Sequence, residues 1–357
     1  MAPPPFVVRA AMAVRKRLLR AADAVLPAEA AVLQRIFAGA EVNLISALVR
    51  AGVPELLAGE ALTADEIAAR TNTDADAMLR TLRAAVFAGY FVRRGDGRYA
   101  HNRMSRALLD ADGSARTFML YFGSRSNQHA WADYDETLRT GKNAFERVHG
   151  VGIWEWFDRH PDERETFARA MMGFTIMEAG GIATTYPFGE VKHVCDVGGG
   201  RGTLLSEILL TYPGLTGWIV DAPGVLASAR PLLQARGVAD RVTLRAGSFF
   251  DAVPAGADLY ILKNVLHDWD DERARKILGN CRAAMQPGQR LVVIEQIVEA
   301  DTDHLATMID VHMMMVCNEG RERGRADFAR LFAEAGFQLA RVFVTTTTMG
   351  ILEGVAI

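Results

Sequence analysis

Cysteine is scarce in this chain. Cys195, Cys281 and Cys317 are its three thiols, widely spaced and odd in number. They argue against a disulfide framework and against a zinc site, and they fit a reducing compartment, so a cytoplasmic location and no metal are expected. Surplus charge is lacking too. The 40 Lys and Arg against 43 Asp and Glu leave a formal charge of −3, so no global electrostatic pull toward nucleic acid exists. Long apolar runs are missing as well: none approaches the ~20 residues of a membrane span, and no membrane partner is expected. What is present is a globular composition, 50% hydrophobic and 23% charged over 357 residues, enough for two or three domains.

Residues 6 to 26 are Arg-rich and acid-poor, with Phe6, Val7, Met12, Val14, Leu18 and Leu19 interleaved. A transit peptide has this pattern, and so does a basic amphipathic helix that docks on a partner subunit. The apolar pattern runs on without a cleavage-like break, which favours the helix. Residues 30 to 58 read as helices up to a break at Gly52-Val-Pro54. Thr63-Ala-Asp-Glu66 is a capping box, Asn72-Thr-Asp74 turns into a second helix, and Gly95-Asp-Gly97 sits between two short strand patterns. Helix, turn, helix and hairpin predict a winged-helix arrangement. From Glu60 to Arg106 there are eight arginines and six acids, and Asp74 and Asp76 stand at the start of the second helix, where they would repel phosphates. Dimerisation is favoured over DNA binding. Residues 107 to 186 are helical and aromatic-rich, as core or as the wall of a flat apolar pocket.

The stretch Val194-Cys-Asp-Val-Gly-Gly-Gly-Arg-Gly-Thr203 is the strongest signal. Strand, glycine turn and apolar helix make a nucleotide-site signature. A dinucleotide fingerprint needs glycine where Thr203 stands. Gly198, Gly200 and Gly202 instead read as G-x-G-x-G, which suits a ligand without a pyrophosphate, such as S-adenosylmethionine (SAM). From Val191 onward strands and helices alternate, predicting a parallel α/β sheet with strands at 193–197, 217–220, 242–245, 258–262 and 290–294. A helix at 327–335 and strands at 338–344 and 349–355 follow, so the last strand is antiparallel to its neighbour. The fold class is a Rossmann-like α/β sheet behind a mostly helical N-terminal domain, with boundaries at 1–106, 107–186 and 187–357.

Ligands of open parallel sheets bind beyond the carboxyl ends of the strands. There stand Asp196 and the glycines, then Asp221, suited to ribose hydroxyls and 25 residues past Asp196. Gly247-Ser-Phe-Phe250 places Ser248 and Phe249 beside an adenine. Lys263-Asn-Val-Leu-His267-Asp-Trp269 follows the fourth strand and Glu295 ends the fifth. His267 and Glu295 become neighbours by topology, 28 residues apart. A histidine near its reference pKa of ~6.5 is a suitable general base at neutral pH, and a carboxylate beside it fixes the tautomer.

These residues resemble the SAM-dependent O-methyltransferases of plant phenolic and bacterial polyketide metabolism, the caffeic acid and hydroxyindole type. The resemblance spans nearly the whole chain: the winged-helix dimerisation domain, Trp154-Glu-Trp-Phe-Asp-Arg-His-Pro161, the DVGGGRG loop, the KNVLHDWDDE stretch and Asn318-Glu-Gly-Arg-Glu-Arg323. It implies that Gly198 and Gly200 shape the SAM loop, Asp221 holds the ribose, Lys263 contacts SAM through its carbonyl or side chain, and Trp269 packs near the adenine. His267 matches the catalytic base, with Glu295 and Glu322 as the acids flanking it. Ile309, Met313 and Cys317 would line the acceptor pocket, with Met172 opposite. Where the family usually has an acid for the adenine amine, this chain has Ser248, which implies a modestly weaker hold on SAM. The resemblance implies a homodimer that methylates a small aromatic hydroxyl and releases S-adenosylhomocysteine, independent of metal. The same base could serve a nitrogen, sulfur or carbon acceptor. A SAM-using enzyme without methyl transfer and a winged-helix regulator are the other readings.

Overall fold

The computed structural model describes residues 5–300, 305–317 and 320–357. The chain forms two compact units. One comprises residues 11–128 and 157–174; the other comprises 129–156 and 175–357 with the N-terminal stretch through Ala10. The helical segment expected to be a separate connector is thus shared between them.

In the first unit, helices Ala28–Arg50, Val53–Gly59, Ala64–Thr71 and Ala75–Phe87 precede a hairpin of β1 (Phe91–Arg93) and β2 (Tyr99–His101). The capping box forms as the sequence indicates. Glu66 N–H donates to Thr63 Oγ1 at 3.2 Å, and Thr63 N–H donates to Glu66 Oε2 at 2.7 Å. Asn72 takes the left-handed φ of 52° that ends the first helix, and Asp74 caps the second through Ala77 N–H. Ile45, Val49, Ile67, Leu82 and Phe91, each at most 1% exposed, are the core under this winged helix. One expectation needs correction. Helix Ala28–Arg50 is 23 residues long with a mean hydropathy of 1.4 in its most apolar window, so it is long and apolar enough to cross a membrane. Its C-terminal part packs into the core through Ile45, Leu48 and Val49.

The second unit is built on a seven-stranded sheet of β3 (His193–Val197), β4 (Thr216–Asp221), β5 (Val242–Ala246), β6 (Leu259–Lys263), β7 (Arg290–Gln296), β8 (Phe337–Val344) and β9 (Met349–Ala356), in the order β5-β4-β3-β6-β7-β9-β8. The pairs from β5 through to β7 are parallel, and β9 runs antiparallel to both β7 and β8. The central strands are near-continuous apolar runs because both faces are covered. Alternation sorts them: Tyr260, Leu262, Leu291 and Val293 enter one core, and Leu259, Ile261, Val292 and Ile294 enter the other. Strand order reverses between β3 and β6, and the crevice at the carboxyl ends of these strands is where such a sheet takes its ligand.

Candidate active site

β3 delivers the chain into Gly198, Gly200 and Gly202, whose φ angles of 73°, 59° and 81° are left-handed and suit glycine. A Cβ on Gly198 would lie 2.7 Å from Val265 Cγ2, whereas one on Gly200 would meet nothing within 4 Å. The loop is therefore packed beneath and open above. Gly200 N–H donates to Asp221 Oδ2 at 2.9 Å, and Ala222 N–H donates to Asp221 Oδ1 at 2.7 Å. Each oxygen keeps a lone pair for a hydroxyl. Burial raises the Asp221 carboxyl above its ordinary range, against the pull of those two N–H groups. Asp196 is 2% exposed and its Oδ2 has no hydrogen-bond partner. Burial pushes Asp196 up to about 7, with Lys263 opposing and Asp221 adding to the rise.

Beside this loop stands an aromatic wall. Trp269 meets Phe250 edge-on at 4.8 Å between ring centroids and Phe249 at 6.5 Å, with Trp154 stacked on it at 6.2 Å. Trp269 Nε1 is buried without a hydrogen-bond partner. Ser248 is exposed, and its Oγ accepts Phe250 N–H at 3.2 Å. An open glycine loop, carboxylates with unused acceptor sites and rings for a purine suit a nucleoside with a cationic amino-acid tail, and SAM is such a ligand.

After β6 the chain turns at Asn264, at a left-handed φ of 51°, into a short 3₁₀ turn over Leu266–Asp268. Sequence reasoning sets both Glu295 and Glu322 against the imidazole. Glu322 is there: His267 Nδ1 lies 2.9 Å from its Oε1. Glu295 stands within 4.8 Å as well, but one of its oxygens is spent on the backbone. Its Oε1 accepts backbone N–H groups of Val265 at 3.0 Å, Leu266 at 2.7 Å and His267 at 3.3 Å. The tight turn points these three donors at the end of β7, and a fully buried carboxylate satisfies them. Glu295 thus fixes the backbone that carries the histidine. Ligand atoms of His267, Glu295 and Glu322 all lie within 4.8 Å of one another, a spacing that a cation could use.

Asp268, missed in the sequence, brings Oδ1 to 3.5 Å from His267 Nε2. The run of acids around it gave no sign that this one turns inward. The side chain of His267 is only 12% exposed. Burial favours its neutral form, but Glu322, Asp268 and Glu295 outweigh that and push it up to about 10. The expectation of a base near its reference value is therefore corrected: this imidazole sits among three carboxyl groups and is held protonated at neutral pH. Burial also pushes Asp268 up to about 6 and Glu295 to about 7, each opposed by the charge of His267. The groups titrate as one cluster.

The remaining residues fall as follows. Lys263 points its Nζ at Glu178 Oε2, 2.9 Å away. Ile309 and Met313 lie on helix Ala306–Val316, half-buried and buried, and Cys317 caps it, with Sγ donating to Asp268 Oδ1 at 3.6 Å. Met172, 7% exposed, belongs to the first unit. Asn318 and Glu319 of the NEGRER stretch lie outside the described residues. Two positioning residues in that stretch escaped notice. Arg323, 1% exposed, donates to the carbonyls of Leu266 at 2.8 Å and Trp269 at 2.7 Å. A Cβ on Gly320 would come within 2.8 Å of the His267 carbonyl oxygen, so only glycine lets this segment close on the turn.

Residues 131–338 match the O-methyltransferase domain, and residues 34–111 match the O-methyltransferase dimerisation domain. The chain belongs to the O-methyltransferase family. This methyltransferase is 35% identical to the mitomycin biosynthesis 6-O-methyltransferase of Streptomyces lavendulae, over 83% of this chain and 85% of the relative. It is 32% identical to the 8-amino-8-demethylriboflavin N,N-dimethyltransferase of Streptomyces davaonensis, over 87% and 90%. Among solved structures, the mitomycin 7-O-methyltransferase MmcR superposes with a TM-score of 0.88 at 33% identity, covering 95% of this chain and all of that one. NcsB1, an O-methyltransferase from neocarzinostatin biosynthesis solved with SAM and 2-hydroxy-5-methyl naphthoic acid, gives 0.78 at 31%, covering 89% and 96%. The methyltransferase uses SAM, whose chemistry the loop, carboxylates and rings above suit.

Proposed function

We propose that this methyltransferase acts on the hydroxyl of a small aromatic compound, with His267 removing the hydroxyl proton. The 2.9 Å contact of His267 Nδ1 with Glu322 carries the reading. An ionised carboxylate only accepts, so Nδ1 holds its hydrogen and Nε2, in the fraction of enzyme where it has released its own, is the nitrogen that takes up the substrate proton. Bound SAM supplies an electrophilic methyl group. Relatives of both O- and N-methylating kinds exist, and a base at this place favours the hydroxyl reading. A phenol at pKa ~10 is a poor nucleophile until its proton leaves. An aromatic amine attacks through a lone pair it already has and needs no base beforehand. Ile309, Met313 and Cys317 are the proposed acceptor contacts, and Asp196, Asp221, Ser248, Phe249, Lys263 and Trp269 the proposed cofactor contacts.

The dimerisation domain supports a homodimer. Met12, Val14, Leu18, Leu19, Val32, Leu33, Ile36 and Phe37 are 49–65% exposed along two N-terminal helices, more apolar surface than a lone chain leaves bare. Three free, buried cysteines support a cytoplasmic location.

Incubation with deuteriomethyl SAM, matched phenols and anilines, and excess EDTA tests the reading by mass spectrometry. A labelled methyl ether with S-adenosylhomocysteine is expected, undiminished by EDTA. Label on anilines alone would overturn the oxygen assignment. Loss of activity with chelator would turn the His267–Glu295–Glu322 set into a cation site.

The charge cluster also dictates a pH dependence. Below about 10 the free enzyme holds His267 as the imidazolium, which accepts no proton, so kcat/KM rises with pH across the neutral range. Glu322 is the foremost of the charges that raise it. Glu322→Gln moves the rise to lower pH, read from initial rates between pH 6 and 10.5. A flat profile, or one that Glu322→Gln leaves in place, would remove His267 from proton transfer.

A further inference from the structure

Lys263 and Glu178 form an ion pair at the ligand edge of the sheet that the base chemistry does not use. Lys263 ends β6, and Glu178 and Thr175 lie on helix Pro161–Thr185. Lys263 Nζ is 2.9 Å from Glu178 Oε2 and 3.3 Å from Thr175 Oγ1, and the two charged side chains are 7% and 9% exposed. The contact with Glu178 is one of charge, since that oxygen receives no well-directed hydrogen bond. Asp196, one strand over on β3, lies within the field of Lys263 and leaves Oδ2 buried without a hydrogen-bond partner. A second buried acid thus stands near the same ammonium without a bond of its own.

A buried pair of this kind gains little for the fold, because desolvation cancels most of the Coulombic attraction. Its chemistry matches a ligand. The amino-acid end of SAM is a zwitterion, and the whole molecule carries one net positive charge at neutral pH. The demethylated product carries none.

We propose that Lys263 and Glu178 form the receptor for the amino-acid end of SAM: the ligand's carboxylate exchanges for Glu178 at the Lys263 ammonium and the Thr175 hydroxyl, and its α-ammonium exchanges for Lys263 at Glu178 and Asp196. The closed pair is the ligand-free state, and the zwitterion replaces its one salt link with two. The surplus carboxylate left by Lys263, Glu178 and Asp196 favours the cationic donor over its neutral product. This assignment rests on SAM being the ligand, and Glu178 and Thr175 are the residues it adds to the proposed cofactor contacts.

Calorimetric titration with SAM and with 5′-methylthioadenosine, which keeps the adenosine and sulfur but lacks the amino-acid end, tests it. Glu178→Gln is expected to weaken SAM about ten- to a hundredfold, the loss of one charge-assisted contact, and to leave methylthioadenosine within a few-fold of wild type. The double variant Glu178→Gln/Lys263→Met removes both charges and leaves no buried ion unpaired. It is expected to keep methylthioadenosine binding and lose SAM binding further. Equal weakening of both ligands, or an unchanged SAM affinity, would make the pair a structural contact and overturn the proposal. Wild-type protein that binds neither ligand would instead overturn the SAM reading beneath it.

Discussion

Replacing His267 with alanine lowers turnover by about 10²–10⁴ and leaves SAM affinity within a few-fold of wild type. Two contributions to rate separate at this residue. Holding acceptor oxygen and methyl group in contact supplies ~7–11 kcal/mol, and the imidazole plays no part in that. The glycine loop, Asp221 and Phe249 with Phe250 belong to the strand ends of β3, β4 and β5 and stay put when His267 is shortened, and Glu295 and Arg323 keep hold of the turn that carries Trp269. On the proposed reading, what is lost is the group that takes the proton. The variant also leaves buried Asp268 without the His267 charge that opposes its protonation, so Asp268 takes up a proton more readily and turnover loses its alkaline rise. Turnover, SAM titration and a pH profile on one preparation check all three. Equal loss of turnover and SAM binding would mark His267 as a strut for the turn.

Most of this fold was readable because its signals are local. The capping box at Thr63, the left-handed glycines after β3 and the apolar runs of the central strands depend on neighbours a few residues away, and they stand where they were read. Strand edges moved by a residue or two, as at β7, which extends to Gln296 because β9 pairs with it to the end. The site was legible as a set of residues but less so as geometry. Topology puts Glu295 near His267, yet only the tight turn of the backbone decides that its carboxylate serves three N–H groups rather than the ring. The state of the base was the largest surprise. A reference value belongs to an isolated imidazole, and no sequence pattern reveals that Asp268 turns inward to join Glu322 around it. Glu178 was invisible for a related reason: its partner lies 85 positions away, on a strand end.

Arg323→Leu is expected to lower both thermal stability and turnover, and Arg323→Lys to recover part of each. The turn that carries His267 is gripped from two sides. Glu295 takes its N–H groups from within the sheet, and Arg323 takes the carbonyls of Leu266 and Trp269 on either side of the histidine while its Nε donates to Asp271 at 3.0 Å. Arg321 N–H adds a bond to the His267 carbonyl at 2.8 Å. Leucine fills much of the volume but leaves two carbonyls without that donor in a buried place and leaves Asp271 with Arg330 alone. Breaking a buried charge network of this kind costs roughly 3–5 kcal/mol. At about 2–4 °C per kcal/mol for a domain of this size, the melting temperature falls by roughly 6–20 °C. Below that melt the turn is intact but looser, and a base displaced by an ångström costs about a hundredfold in rate. Lysine is the informative comparison: its single ammonium restores the charge opposite Asp271 but lacks the planar fork that reaches both carbonyls at once. An Arg323→Lys enzyme that melts near wild type yet turns over tens of times more slowly would show that Arg323 acts by placing the histidine. Wild-type turnover in the lysine variant would show that charge alone suffices and that the grip of Glu295 sets the turn.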